Sequence, residues 1–205
     1  MPAPITEEQA RSDREALLDA AEELFYGRGI QAVGMDDVRK ASGLPLKRIY
    51  RIFAAKEDLV VAMLRRRDER WRNSLTVHVE RVPDPRDRVL AVFDWLAEWF
   101  AEPGFRGCAW VNAHGELGPS SPAVLAEVRA HKRAFHEQIA AWVGAAGSSA
   151  AEAVFLLAEG AIVTAGITGD PAAARHARAA AATLLDTSSP PEPRASRGRS
   201  GRRPS

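Results

Sequence analysis

Apolar residues along this chain recur at every third or fourth position, and no segment shows a convincing period of two. That pattern restricts the fold to helices packed on helices, an all-α architecture. Gly and Pro punctuate it. Leu17, Leu18, Ala21, Leu24 and Phe25 share one face of a first helix that stops at the Gly27/Gly29 pair. Met35–Ser42 and Leu46–Ile52 read as two short helices joined by a turn carrying Gly43 and Pro45. Lys56 to about Val79 is long, with Leu59, Val60, Met63, Leu64 and Trp71 inward. Val82-Pro83-Asp84-Pro85 ends that helix and opens another over about 85–101, because proline suits a helix's first turn and not its interior. Pro103-Gly104 breaks the chain again before a shorter helix over about 105–117. Ser121-Pro122 then caps a helix reaching about Val143, and two more follow over about 149–167 and 170–186.

The short helix, tight turn and second short helix form a helix-turn-helix, which sets its second helix in the DNA major groove while the first braces across the backbone. Charge placement fits that use. Arg39, Lys40, Lys47, Arg48, Arg51 and Lys56 follow one another with no acidic residue between them. The first sixty residues as a whole hold nine basic and eleven acidic side chains, so the positive charge is local, as a surface aimed at phosphates requires. Leu46, Lys47, Arg48 and Arg51 are free to face DNA, while Ile49, Ile52 and Phe53 pack inward. The Tyr50 ring can lie along the backbone with its hydroxyl on a phosphate. Gly34, Met35 and Pro45, at the starts of the two motif helices, complete the candidate DNA-contacting set. The bland alternative is a solvated charged face.

The run GLPLKRIYRIFAAKEDL resembles the signature of TetR-type (tetracycline-repressor-like) bacterial regulators. Gly43, Ile49, Tyr50, Phe53, Lys56, Glu57 and Leu59 stand where that pattern expects them. Ala20, Ala21, Leu24, Phe25 and Gly29 match the family's first helix and the glycine that ends it; Met35, Asp36, Asp37, Val38 and Ala41 match its second. The resemblance covers about residues 11–71. It implies phosphate contacts for Tyr50 and Lys56, the latter opening a helix whose N–H groups favour an anion. Two positions depart from the pattern: Gly34 replaces the usual Ser or Thr cap, and Ile52 a His that commonly touches phosphate.

The resemblance implies a flexible start at 1–10, a DNA-binding domain over 11–71 with its motif at 34–53, and an effector-binding and dimerisation domain over 72–186. In such proteins the second domain is a helical bundle around a cavity for a small effector. Trp95, Trp99, Trp110 and Phe135, with Asn112 and His114 as orienting polar groups, are the candidate pocket; ordinary core packing is the alternative for each ring. The helix over 149–167 is apolar most of the way round and needs burial on two sides. Ala153, Leu157, Gly160 and Thr164 with Ala173, Ala177, Ala180 and Leu184 are the expected interface with a second copy. From Thr187 to Ser205 no apolar side chain exceeds Ala, which predicts a disordered basic tail.

Other chemistries find little support. Cys108 is the one cysteine, and Cys108 and His114, six apart, sit about 120° away from a common helix face. There is no nucleophile elbow, phosphate loop or HExxH motif, so neither an enzyme, a metal nor a cofactor is expected. No secretory leader and no run of ~18 apolar residues is read in the chain, and no membrane partner is expected. The expectation is a bacterial, cytoplasmic, dimeric repressor that leaves a palindromic operator when a small hydrophobic effector binds. The alternative is an effector-independent or architectural DNA-binding dimer.

Overall fold

The computed structural model describes residues 6–188, and among them the regular structure is helical throughout, with no strand. Thr6 caps α1 (Glu7–Arg28): its hydroxyl accepts the Gln9 N–H at 3.2 Å, and Glu7 and Glu8 complement the positive end of the helix dipole. The expected flexible start is therefore helical from Glu7 onward, because a cap and two carboxylates suffice to nucleate it. Gly29, at φ 93°, ends α1 in a conformation that side chains resist. The motif helices are α2 (Met35–Ser42) and α3 (Leu46–Ile52), with left-handed Gly43 terminating α2.

The long helix α4 (Lys56–Glu80) packs on α1 and also on α5 (Pro85–Phe100) and α7 (Pro122–Ala145). The expected boundary at residue 71 thus falls inside a continuous helix shared by both halves. Asp84 and Ser121 cap α5 and α7 through Asp87 N–H at 2.9 Å and Val124 N–H at 3.1 Å, each with Pro at the first turn. The short α6 (Ala109–Leu117) starts later than its periodicity suggests. Residues 105–108 are irregular because left-handed Gly107 lies against the backbone of Gly166, where a Cβ on Gly166 would come within 2.8 Å of the Gly107 Cα. The last helices are α8 (Ala151–Thr168) and α9 (Ala172–Ser188). Thr187 and Ser188, expected in the tail, belong to α9; residues 1–5 and 189–205 lie outside the described residues. One continuous apolar core runs from Leu17, Val38 and Ile49 through Leu64 and Leu75 to Trp110, Phe135 and Ile139.

Candidate nucleic-acid interface and regulatory core

α3 is amphipathic in the expected sense. Ile49 and Phe53 are buried, Ile52 is half-buried, and Leu46, Lys47, Tyr50 and Arg51 are exposed on the opposite face. The Lys47 and Arg51 side chains have no partner among the described residues. Pro45 is exposed and precedes the helix; Gly34 is exposed and its N–H donates to Asp37 at 2.9 Å, while Met35 is half-buried. Arg39 and Lys40 both pair with Asp36, whose carboxyl their hydrogen bonds hold below its usual range.

Two expected DNA contacts point elsewhere. Arg48 Nε donates to Asp13, a buried carboxylate of α1 that also accepts from Gln9 at 2.9 Å. Its guanidinium therefore ties α3 to α1. Lys56 Nζ donates to the Ile30 and Val33 carbonyls, with the Phe25 ring 5.5 Å away. Partial burial lowers its pKa from the ordinary lysine value, against the pull of Glu116 and Asp37. Lys56 thus clamps the α1–α2 loop rather than standing open on the α3 face.

The same loop is held from the other side by α6. Glu116 accepts the Ile30 N–H at 3.0 Å and the Gln31 N–H at 2.7 Å, and its carbonyl accepts from the Gln31 side chain. Nearby, the Tyr26 hydroxyl donates to the Gly107 carbonyl and accepts the Arg106 N–H, both at 2.8 Å. Ser121 donates to Glu57. Side-chain contacts from the second half thus reach α1, the α1–α2 loop and the start of α4 through α6 and the turns on either side of it.

The rings expected to wall a cavity fill it instead. Trp71 sits in their midst, edge-on to Trp95 at 5.1 Å, Trp99 at 5.5 Å, Trp110 at 6.4 Å and Phe135 at 5.0 Å. Those centroid separations are contact distances, leaving no ligand-sized gap between the rings. Trp110 lies flat on His131, 3.4 Å apart at 3°. His131 Nδ1 lies 2.6 Å from Asp68, so the proton is assigned there, and Arg72 grips the same carboxylate through Nε and Nη2 at 2.7–3.0 Å. Burial pushes the His131 imidazole below its usual range, outweighing Asp68. Burial would raise Asp68, but the His131 and Arg72 hydrogen bonds prevail and lower it. Asn112 and His114 are exposed and take no part: Asn112 donates to the Arg106 carbonyl at 3.1 Å, and the His114 ring lies beside Gly118. Cys108 is buried with the Lys132 ammonium 3.4 Å from its sulfur. Sequence reasoning missed Asp68 and His131, whose positions 63 residues apart carry no local sign of pairing.

Of the expected interface, Gly160, Thr164 and Ala180 are exposed, Ala153, Leu157, Ala173 and Leu184 are half-buried, and Ala177 is buried within its own bundle. Larger apolar side chains share the open face of α8 with them: Leu156 is 59% exposed and Ile167 80%, with Val163 on the same face. Among the described residues α8 is long and apolar enough to cross a membrane by length and composition alone, and it is 28% buried in the single chain.

A family profile described as bacterial regulatory proteins, tetR family, matches residues 17–63. An HTH-type transcriptional regulator of Mycobacterium tuberculosis is 34% identical over 76 residues, 37% of this chain and 38% of that protein. The HTH-type transcriptional repressor NemR of Escherichia coli is 31% identical over 106 residues, 51% of this chain and 53% of the repressor. The match thus spans about half or less of these relatives' length. A solved TetR-family transcriptional regulator from Streptomyces coelicolor superposes with a TM-score of 0.79 at 28% identity, covering 88% of this chain and 97% of that one.

Proposed function

We propose that this chain, which belongs to the TetR family of bacterial regulatory proteins, is a cytoplasmic transcriptional repressor that reads a palindromic operator as a homodimer and is released by a small effector. The observation that carries the DNA-reading half is the outer face of α3, where Leu46, Lys47, Tyr50 and Arg51 are exposed and both cations are uncommitted. Lys47 and Arg51 supply base or phosphate contacts, Tyr50 a phosphate contact, and Leu46 an apolar contact with a base edge. A single helix of seven residues spans too few base pairs to be selective. Pairing two of them through the apolar face of α8 and the small residues of α9 gives half-sites about one DNA turn, or a multiple of it, apart. The partner that meets Leu156, Val163 and Ile167 is a second copy, not a bilayer.

The effector half rests on the aromatic core. Trp71 Nε1 and Gln138 Oε1 are buried with no protein partner. A small, largely apolar effector carrying an acceptor would meet Trp71 Nε1 by parting the rings around it. Release requires that it bind the DNA-incompetent state preferentially. The close packing of the rings favours a second reading, an effector-independent regulator.

Selection of bound duplexes from a random library tests the first half: a palindrome is expected, with affinity falling steeply as salt rises. Lys47→Ala and Arg51→Ala are expected to weaken binding with the fold intact. Enrichment of no duplex would end the reading. Screening small molecules for release of that duplex, with Trp71→Phe as the comparison, separates the effector-responsive protein from the effector-independent one.

A further inference from the structure

The aromatic core is filled, but a cleft of about 660 Å³ is open where the two halves of the chain meet, between the end of α1, the turn before α6, and α6 itself. Its size suits a small molecule. Phe105 and Val111 give part of it an apolar wall, Val111 being 39% exposed, while Phe25 is buried and the rest of the lining is largely polar. Arg28 and Arg106 also line it; both are exposed, and neither guanidinium has a partner among the described residues. The lining carboxylate, Glu116, is already taken up by the Ile30 and Gln31 amides. Two uncommitted cations beside apolar surface, with the acidic group satisfied, define the chemistry the cleft lacks: an anion joined to an apolar body.

We propose that this cleft is a binding site for an amphipathic carboxylate, separate from the aromatic core. The tail lies on Phe105 and Val111, and the carboxylate is held by Arg28 and Arg106. Such a ligand touches α1 of the DNA-reading half and α6 of the other half at once. It therefore biases the joint that Glu116 and Tyr26 make, and with it the setting of α3. Binding stands on the cleft alone; only the effect on DNA rests on the regulatory reading above.

Titration calorimetry on the full chain tests this with dodecanoate, dodecanol and dodecyltrimethylammonium as probes, below their micelle thresholds. Dodecanoate is expected to bind once per chain, more weakly at high salt, with dodecanol weaker and the cation weakest. Arg28→Gln with Arg106→Gln is expected to weaken dodecanoate by roughly tenfold or more, the loss that follows removal of charge-assisted hydrogen bonds. Both positions are exposed, so the thermal melt of the pair variant should match the parent. Trp71→Phe should leave dodecanoate affinity unchanged. No binding of dodecanoate, equal binding of the cation, or loss in Trp71→Phe with none in the arginine pair would each overturn the site. Binding as described with operator affinity unmoved would overturn the coupling while leaving the site. Failure to bind DNA without any probe would instead sink the regulatory reading.

Discussion

Lys47 and Arg48 are adjacent in the chain and equal in charge, yet they serve different surfaces, and the difference is open to experiment. Lys47 points outward unpaired, whereas Arg48 neutralises Asp13, a carboxylate only 3% exposed. Arg48→Ala leaves that carboxylate with Gln9 alone, so it should destabilise the fold by about 1–3 kcal/mol and weaken all duplexes together. Lys47→Ala should leave the denaturation midpoint unchanged and act on DNA only. Denaturant unfolding beside duplex titration checks both; equal stabilities would return Arg48 to the DNA face. His131 makes a second residue-scale prediction. Its folded pKa lies below the ordinary 6.5, so unfolding takes up a proton and stability is lost as pH falls through and below that value. Asp68 is lowered from 3.8, so its contribution disappears only in stronger acid, a separate window. Melting temperature should therefore drop between neutral pH and about 5.5, and drop less in His131→Gln. A parent flat across that interval would mean that folding leaves the His131 imidazole where the unfolded chain has it, and a melting temperature that rises would mean that His131 is charged in the fold.

At the scale of elements, the α1–α2 loop is gripped by two helices that approach from opposite halves. Lys56 of α4 takes carbonyls of Ile30 and Val33, and Glu116 of α6 takes the amides of Ile30 and Gln31. The loop has no sheet or helix ladder of its own to satisfy these groups, so the side chains set its conformation. Glu116→Ala should speed hydrogen exchange at the Ile30 and Gln31 amides while leaving amides in the middle of α4 protected. Protection retained at both loop amides would show that the grip is dispensable. Lys56→Ala is expected to change the salt dependence of DNA binding less than Arg51→Ala does, since its ammonium is engaged with the protein.

At the scale of the whole molecule, α8 carries an apolar stripe that no other described residue covers. Ile167 at 80% exposed and Leu156 at 59% are its extremes, and Gly160 between them has open space where a Cβ would stand. Burying Leu and Ile side chains contributes about 1.5–3 kcal/mol each, enough for a handful to hold two copies together. Ile167→Arg and Gly160→Arg should both yield monomers with helix content preserved, because both positions stand open among the described residues. Sedimentation showing an undisturbed dimer for both would move the interface to another face.

The helical class, the breaks between helices and the register of the two motif helices were legible in the sequence because their causes are local. Left-handed Gly43, the Asp84 and Ser121 caps and the prolines behind them act within a few residues of themselves, and a period of three to four names the buried face. Periodicity shows which way a side chain points but not what it meets. The irregular start of α6 depends on Gly166, 59 residues on from Gly107, and the filling of the expected cavity on Trp71 arriving from another helix. Which of six neighbouring cations stay free was decided by Asp13, by Asp36 and by loop carbonyls drawn in through folding. Local chemistry determined the elements; the choice of partners, and so the free charges and the open cleft, came only when distant segments were packed together.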